Sequence, residues 1–245
     1  MKSALITGAN KGIGLETAKQ LLKQGLFVYV GSRDLEKGKA IINKLLNDGF
    51  SNVQAIELDV TKPDTILTAK NIIEKEQGHL DVLINNAGIS GIVPQNALET
   101  TTDHYKEVFE VNLYGVINVT QAFMDLLRKS PEPRIVNVST SVGSLSLQSN
   151  PNWPAYHYAK YAVYAASKAA MNMYTVHLAY ELRDTAFKVN AVCPGYTKTD
   201  FTNYLGGEVE EAGKRIVKYA LINQDGPSGQ FFSEESNPET GEIPW

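Results

Sequence analysis

The sequence predicts an α/β protein, one doubly wound parallel sheet in a three-layer α/β/α arrangement, and three observations predict it. Short apolar runs alternate with segments of helical periodicity along the chain. The runs are apolar nearly throughout rather than at every second position, as strands covered on both faces must be. The first run ends in a cluster of glycines that opens a helix, the connection such sheets use to bring backbone N–H groups against a phosphate. With 245 residues the chain is long enough for a single domain over 1–245 with a substantial core.

The first run, Met1-Lys-Ser-Ala-Leu-Ile-Thr7, stops at Gly8-Ala-Asn-Lys-Gly12-Ile-Gly14 and reads as a buried strand feeding a glycine turn. Beyond it Ile13, Leu15, Ala18, Leu21 and Leu22 recur at near-helical spacing as far as Gln24, and Gly25 stands where a helix ends. Glycines let the backbone approach a pyrophosphate, while the helix N-terminus offers unpaired N–H groups and the positive end of its dipole. The spacing Gly-x-x-x-Gly-x-Gly departs from the commoner Gly-x-Gly-x-x-Gly. The strand before and the helix after therefore carry the expectation of nucleotide binding.

The second run, Phe27-Val-Tyr-Val-Gly31, ends in Ser32-Arg33-Asp34, where a dinucleotide fold meets the adenosine ribose. An acidic residue there would bind two free ribose hydroxyls. Arg33, with Ser32 and Lys11, instead supplies donors suited to a 2′-phosphate, so the tip predicts NADPH or NADP+ over NADH, and Asp34 is left to cap the next helix. That helix is expected over 35–46, a strand over 53–57, Asp59-Val60 after it, and then a helix opened by Pro63, whose fixed φ suits a first turn. Leu80-Asp-Val-Leu-Ile84 reads as an apolar strand running into Asn85-Asn86-Ala87-Gly88, where small residues permit close backbone approach. Arg134-Ile-Val-Asn-Val138 is a further strand, opening into the hydroxyl-rich Ser139-Thr140-Ser141.

Two tyrosine–lysine pairs follow, Tyr156 with Lys160 and Tyr164 with Lys168. On a helix, positions i and i+4 share a face with Cβ atoms roughly 5–6 Å apart, so each ammonium would favour its phenolate. A phenol near pKa ~10 is otherwise a poor proton donor or base at neutral pH. The same spacing describes an ordinary amphipathic helix, and alone it does not choose between the pairs. Pro151 and Pro154 argue against one uninterrupted helix through both.

Thr7-Gly-x-x-x-Gly-x-Gly14, Asp59-Val60, Asn85-Asn-Ala-Gly88, Asn112 in Val-Asn-Leu, Tyr164-Ala-Ala-Ser-Lys168, and Pro194-Gly195 after Val189-Asn-Ala-Val192 occur in that order over nearly the whole chain. In this combination the chain resembles the short-chain dehydrogenase/reductase family, and the glycine turn with Ser32-Arg33-Asp34 is similar to its NADPH-dependent carbonyl reductase branch. The resemblance implies a Rossmann fold and an NADPH-dependent oxidoreductase that reduces a ketone, aldehyde or quinone to an alcohol by hydride transfer. It chooses Tyr164 as proton donor, followed by a long helix over 169–182, and leaves Tyr156 as a pocket or surface residue. It assigns Asn112 a relay water, Thr140 the orientation of the carbonyl, and Lys168 the nicotinamide ribose together with a lowering of the Tyr164 pKa. Cofactor contacts are implied at Gly8, Asn10, Lys11, Gly12, Ile13 and Gly14; at Ser32 and Arg33; at Asp59 and Val60; at Asn86, Ala87 and Gly88; at Asn112, Tyr164 and Lys168; and at Pro194, Gly195, Thr197 and Thr199. Thr140 stands where the family usually carries serine, with Ser141 and then Ser139 as alternatives.

Composition excludes other classes. A formal net charge of −4 and a pI near 5.6 give no global attraction to nucleic acid or an anionic membrane, with Lys11 and Arg33 a local exception for phosphate. Neither a secretion signal nor a membrane span is read from the sequence, so a cytoplasmic location is expected. Cys193, the one cysteine, reads as a small buried residue, and the four histidines have no metal-ligand spacing, so no metal is expected. Trp153, Tyr156, Tyr158 and Tyr161 before the catalytic helix, and Tyr196, Phe201 and Tyr204 after Pro194-Gly195, suit a hydrophobic or aromatic small-molecule substrate. A lid is expected around 196–220, hinged at Gly206-Gly207. Trp245 is expected to pack back onto the domain or a neighbour, and monomer, dimer and tetramer stay open. Two other functions stay open as well: a cofactor-binding regulatory protein with little turnover, and dehydration, epimerisation or enoyl reduction on the same scaffold.

Overall fold

A computed structural model describes residues 1–245. Seven parallel strands form one sheet: β1 (Ser3–Ile6), β2 (Phe27–Ser32), β3 (Val53–Glu57), β4 (Val82–Asn85), β5 (Arg134–Val138), β6 (Lys188–Val192) and β7 (Phe231–Phe232), in the order β3-β2-β1-β4-β5-β6-β7. The connecting helices are α1 (Gly12–Lys23), α2 (Leu35–Asn47), α3 (Pro63–Gln77), α4 (Thr102–Phe109), α5 (Gly115–Leu127), the short α6 (Leu145–Gln148), α7 (Ala162–Glu181) and α8 (Val209–Ala220). This is a Rossmann-type single domain.

Alternation of side chains along each strand divides the core into two layers. Ala4, Ile6, Val28, Val30, Ile84 and Val136 pack on one face with Leu21 of α1 and Ile216 of α8. Leu5, Tyr29, Leu83, Ile135 and Val189 pack on the other with Ile66 of α3, Phe123 of α5 and Leu178 of α7. Because both faces are covered, neighbouring residues such as Ala4, Leu5 and Ile6 are all fully buried, which is why the strands read as unbroken apolar runs. A fully buried Leu or Ile among them contributes about 1.5–3 kcal/mol.

Local signals set several boundaries. Asp34 caps α2, its carboxylate accepting from Lys37 N at 3.1 Å, and Pro63 occupies the first turn of α3. The strand expected over 80–84 is shorter and lies two residues later at its start, because Asp81 is drawn into hydrogen bonds with Ser3 N and Ser130 Oγ below the sheet. The long helix expected from 169 begins at Ala162 instead. Tyr164 and Lys168 are therefore both helical, while 151–161 forms turns, as the prolines require.

Strands β1 and β4 are neighbours, Ala4 opposite Val82, and the chain leaves them toward opposite edges of the sheet. Their carboxyl ends therefore open a crevice, the place where ligands bind in sheets of this kind.

Candidate active site

The crevice is walled by the glycine turn and by Asn85-Asn86-Ala87-Gly88. Thr7 stitches the two together: its Oγ1 accepts from Asn86 N at 3.0 Å and Ala87 N at 2.9 Å, while Asn86 Nδ2 donates to Thr7 O at 2.9 Å. Gly8 turns with φ of 63°, and a Cβ on Gly14 would stand 2.5 Å from Asn86 Nδ2 and 2.9 Å from Gly8 O. Only glycines allow the helix to start this close to the sheet. The N-terminus of α1 has no side-chain cap and no acidic residue in its first turn, so the N–H groups of Gly12, Ile13 and Gly14 have no partner from the helix or its cap.

Arg33, at the end of β2, is exposed and has neither an ion pair nor a hydrogen bond through its side chain. Ser32, expected beside it as a donor, is buried and gives its hydroxyl to Asp34 O at 2.7 Å, so its side chain is turned away from any phosphate. Lys11 is ion-paired with Asp200. Asp59 accepts from Thr61 N and Oγ1 at 3.1 and 2.8 Å. Burial would raise its pKa, but these bonds and Lys62 outweigh burial and hold it below the usual carboxylate value. Val60 beneath it is buried. Uncapped N–H donors, partly buried Asn10 and an unpaired guanidinium form a donor set that fits a phosphate-bearing dinucleotide.

At the other end of the crevice Tyr164 lies in the first turn of α7 and Lys168 one turn further on. Lys168 is only 4% exposed, and its Nζ donates to Val138 O at 2.7 Å. A Cβ on Gly88 would be 3.7 Å from that nitrogen and 3.2 Å from Asn112 Oδ1, so Gly88, Asn112 and Lys168 converge. Burial lowers the Lys168 pKa to about 8. The expected lowering of the Tyr164 pKa is not found: burial, with Cys193 nearby, pushes it up.

Asn112 sits in a π-helical turn, Glu110–Tyr114, between α4 and α5. Its carboxamide is fully engaged: Oδ1 accepts from Ile89 N at 2.9 Å, and Nδ2 donates to Ile89 O at 2.9 Å and Ser167 Oγ at 3.0 Å. A relay water would have to be held by the main chain here, where a π turn shifts the carbonyl pairing.

The three hydroxyls after β5 separate clearly. Ser139 is buried and bonded to Asn172 Oδ1 at 2.6 Å. Ser141 is buried at the start of a 3-10 turn, while Thr140 is partly exposed and caps that turn, accepting from Val142 N at 3.3 Å. Neither Thr140 nor Ser141 commits its hydroxyl proton to another group, and Thr140 is the more exposed of the two. Of the rival pair, Lys160 lies over the face of the Tyr156 ring, 4.0 Å from its centroid, and is held by Gln148 outside any helix.

The segment after Pro194-Gly195 folds back over the crevice. Phe201 stands 5.6 Å from the Tyr164 ring, Thr199 is buried beside Gly12, and Asp200 meets Lys11. Thr197 is also buried, its hydroxyl donating to Gly195 O. Gly206 and Gly207 do not form a free hinge. Gly207 N donates to Tyr196 O at 2.8 Å and Lys198 N to Gly207 O at 2.9 Å, closing the neck of the loop, and a Cβ on Gly206 would strike Tyr196 O. Tyr196, Phe201, Tyr204 and Leu205 leave an exposed apolar rim.

Asn137, Thr120 and Thr175 shape the site without belonging to a cofactor or catalytic motif, through the motif residue Asn85. Asn85 Nδ2 donates to Asn137 Oδ1 at 2.8 Å across β4 and β5 and to Thr120 of α5 at 3.0 Å, while Asn137 Nδ2 reaches Thr175 of α7 at 2.8 Å. This buried ladder fixes α7 against the sheet. Its available signal was Asn137, one asparagine inside the apolar run 134–138.

Comparison with known proteins agrees with this arrangement. Salutaridine reductase from Papaver bracteatum is 33% identical, with 95% of this chain and 94% of the relative covered. Their alignment spans 298 positions, more than the 245 residues of this chain, so the relative carries stretches that are missing here. A (+)-neomenthol dehydrogenase from Arabidopsis thaliana is 34% identical over 96% of this chain and 97% of its own length. Among solved structures, NADPH-bound carbonyl reductase from chicken fatty liver superposes with a TM-score of 0.86 at 27% identity, covering all of this chain and 99% of that one. The model of the family described as short chain dehydrogenase matches residues 2–209, from the first strand to the start of α8. Since that match takes in both walls of the crevice and the loop that covers it, the chain belongs to the short-chain dehydrogenase/reductase family.

Proposed function

We propose that this oxidoreductase reduces a carbonyl group to an alcohol with NADPH, and that Tyr164 supplies the proton. The observation that carries the reading is the convergence of Lys168, Gly88 and Asn112 at the carboxyl ends of β4 and β5, with Tyr164 one helical turn before Lys168 on α7 and an uncapped helix N-terminus and a free Arg33 along the same crevice. The cofactor, when bound, supplies the hydride. The N–H groups of Gly12, Ile13 and Gly14 would hold its pyrophosphate, Arg33 its 2′-phosphate, Asp59 and Val60 its adenine end, and Lys168 its nicotinamide ribose.

The chain's own residues then manage one proton and one developing charge. Burial keeps Tyr164 protonated through neutral pH, the state a proton donor for reduction needs. Lys168, titrating near 8, carries its charge at neutral pH and stabilises the phenolate left behind. Thr140 would donate its free hydroxyl proton to the substrate oxygen and orient it. Phe201 over Tyr164 and the apolar rim of Tyr196, Tyr204 and Leu205 favour a hydrophobic or aromatic substrate and would exclude water once it is seated. The named relatives are reductases and dehydrogenases of small molecules, which supports the same class.

Tyr164→Phe is the test. It should bind NADPH as the wild type does and lose about 10²–10⁴ in turnover, the usual worth of positioned proton transfer. Wild-type turnover by that variant on a panel of aromatic ketones, quinones and dicarbonyls would end this assignment.

A further inference from the structure

Helix α7 carries the proposed proton donor, yet it begins without a cap of its own. Tyr161, at its N-cap, makes no side-chain bond to the first turn, and that turn holds no acidic residue. The first helical bond is Ala165 N to Tyr161 O, which leaves the N–H groups of Ala162, Val163 and Tyr164 to be satisfied from outside. Gln95, from the loop between β4 and α4, satisfies two of them: its Oε1 accepts from Tyr164 N at 2.9 Å and its main-chain oxygen accepts from Ala162 N at 3.3 Å. It is a helix cap delivered across nearly seventy residues of sequence.

The other end of the same side chain is also committed. Gln95 Nε2 donates to Ser90 O at 2.6 Å, and the residue before Ser90 is Ile89, whose peptide groups Asn112 grips from both sides. Gln95 is only 3% exposed. Its carboxamide therefore spans from the segment that continues Asn86-Ala87-Gly88 to the backbone of Tyr164 itself. Satisfying both ends requires one acceptor and one donor on a single neutral group of this length.

We propose that Gln95 is the positioning residue that sets Tyr164 relative to the nicotinamide wall of the crevice. This inference rests on the reading of Tyr164 as proton donor. A carboxylate in place of the amide would lose the donor to Ser90 and bring a negative charge to the first turn of α7, where the titratable groups around Tyr164 are Lys168 on its own helix and Cys193 beyond β6. A negative charge there disfavours the phenolate. A thioether in its place would keep the volume and lose both hydrogen bonds.

The experiment compares Gln95→Met and Gln95→Glu with Tyr164→Phe, measuring NADPH affinity by fluorescence titration and the pH profile of reduction of the fastest-reduced member of the carbonyl panel. Gln95→Met should lower kcat about tenfold or more, the size expected for a lost hydrogen bond plus misplacement of the donor, with NADPH affinity unchanged within about twofold. Gln95→Glu keeps the acceptor for Tyr164 N, so it should retain more turnover than Gln95→Met while the alkaline limb of its profile moves to higher pH. Wild-type kcat and an unmoved profile in both variants would overturn the assignment, as would loss of NADPH binding in step with kcat. If Gln95→Met does not fold, an unmoved profile in Gln95→Glu is decisive against it. If neither folds, Gln95 is a structural residue and the inference fails. Should Tyr164→Phe keep full turnover, the parent reading fails whatever the Gln95 variants do; should it lose turnover while they behave as wild type, only the inference about Gln95 fails.

Discussion

Burying the charge of Lys168 should cost the folded protein stability by an amount that depends on pH. Burial lowers its pKa from 10.5 to about 8. At about 1.4 kcal/mol for each tenfold change in proton affinity, carrying that charge at neutral pH costs the folded state roughly 3 kcal/mol. Because the folded value lies below the unfolded one, the unfolded chain holds more protons between about 8 and 10.5, and stability rises with pH across that window. The penalty is complete below about 8. Lys168→Met removes it but leaves Val138 O without its donor, which costs about 1–3 kcal/mol at every pH. The absolute difference at neutral pH is therefore small, whereas its pH dependence is not. Between about pH 7 and about pH 9.5 the wild type should gain roughly 2 kcal/mol on the variant, while carbonyl reduction by the variant falls throughout. Urea unfolding of both proteins across that range measures it. A difference that stays flat with pH would refute the picture of Lys168 as a charge held without a counter-ion.

Arg33→Ala should weaken NADPH about tenfold or more, as expected for loss of a charge-assisted hydrogen bond, and leave NADH binding unchanged; parallel fluorescence titrations with the two cofactors read this directly. Asp34→Ala should lower the unfolding midpoint through loss of the α2 cap without altering cofactor preference, separating it from its neighbour Arg33. Gly14→Ala should do both kinds of damage: the new methyl meets Asn86 Nδ2 and Gly8 O, an overpacking worth about 1–3 kcal/mol, and Asn86 can yield only by releasing Thr7, so both the unfolding midpoint and NADPH affinity should fall.

What was legible in the sequence was whatever acts through local spacing. Apolar runs marked β1 to β5 because both faces of the sheet are covered, Asp34 and Pro63 marked helix starts, and the four-residue spacing of Tyr164 and Lys168 put them on one face of α7. Long-range pairings were not legible. Even the local bond from the Ser32 hydroxyl to Asp34 O, two residues on, was unmarked, because it depends on the path the backbone takes from β2 into α2. Gly206 and Gly207 looked like a hinge because glycine permits motion, but glycine also permits contact, and here they close the neck of a loop against Tyr196. The Tyr164 pKa was misjudged for a related reason. Spacing supplies the lysine, but desolvation depends on everything packed around the phenol.

Asn112 brings these strands of argument together. As a motif residue it was assigned to a water, yet its side chain pairs with both peptide groups of Ile89 and with Ser167 of α7. The same loop is taken up again a residue later by Gln95, which passes the constraint on to Tyr164 N. Asn85 and Asn137 hold α7 from beneath through Thr175. Tyr164 is thus located by neutral amides anchored on β4, β5 and the π turn, with Lys168 the one charged partner inside. Amides can fix a geometry through paired donors and acceptors without adding a charge to a region where burial already raises one pKa and lowers the other. A carboxylate at any of these positions would supply acceptors only and bias the phenol by its field. The neutrality of the supporting residues is therefore as much a part of setting Tyr164 as their placement, and it explains why the positioning groups are amides drawn from distant segments rather than charged neighbours in sequence.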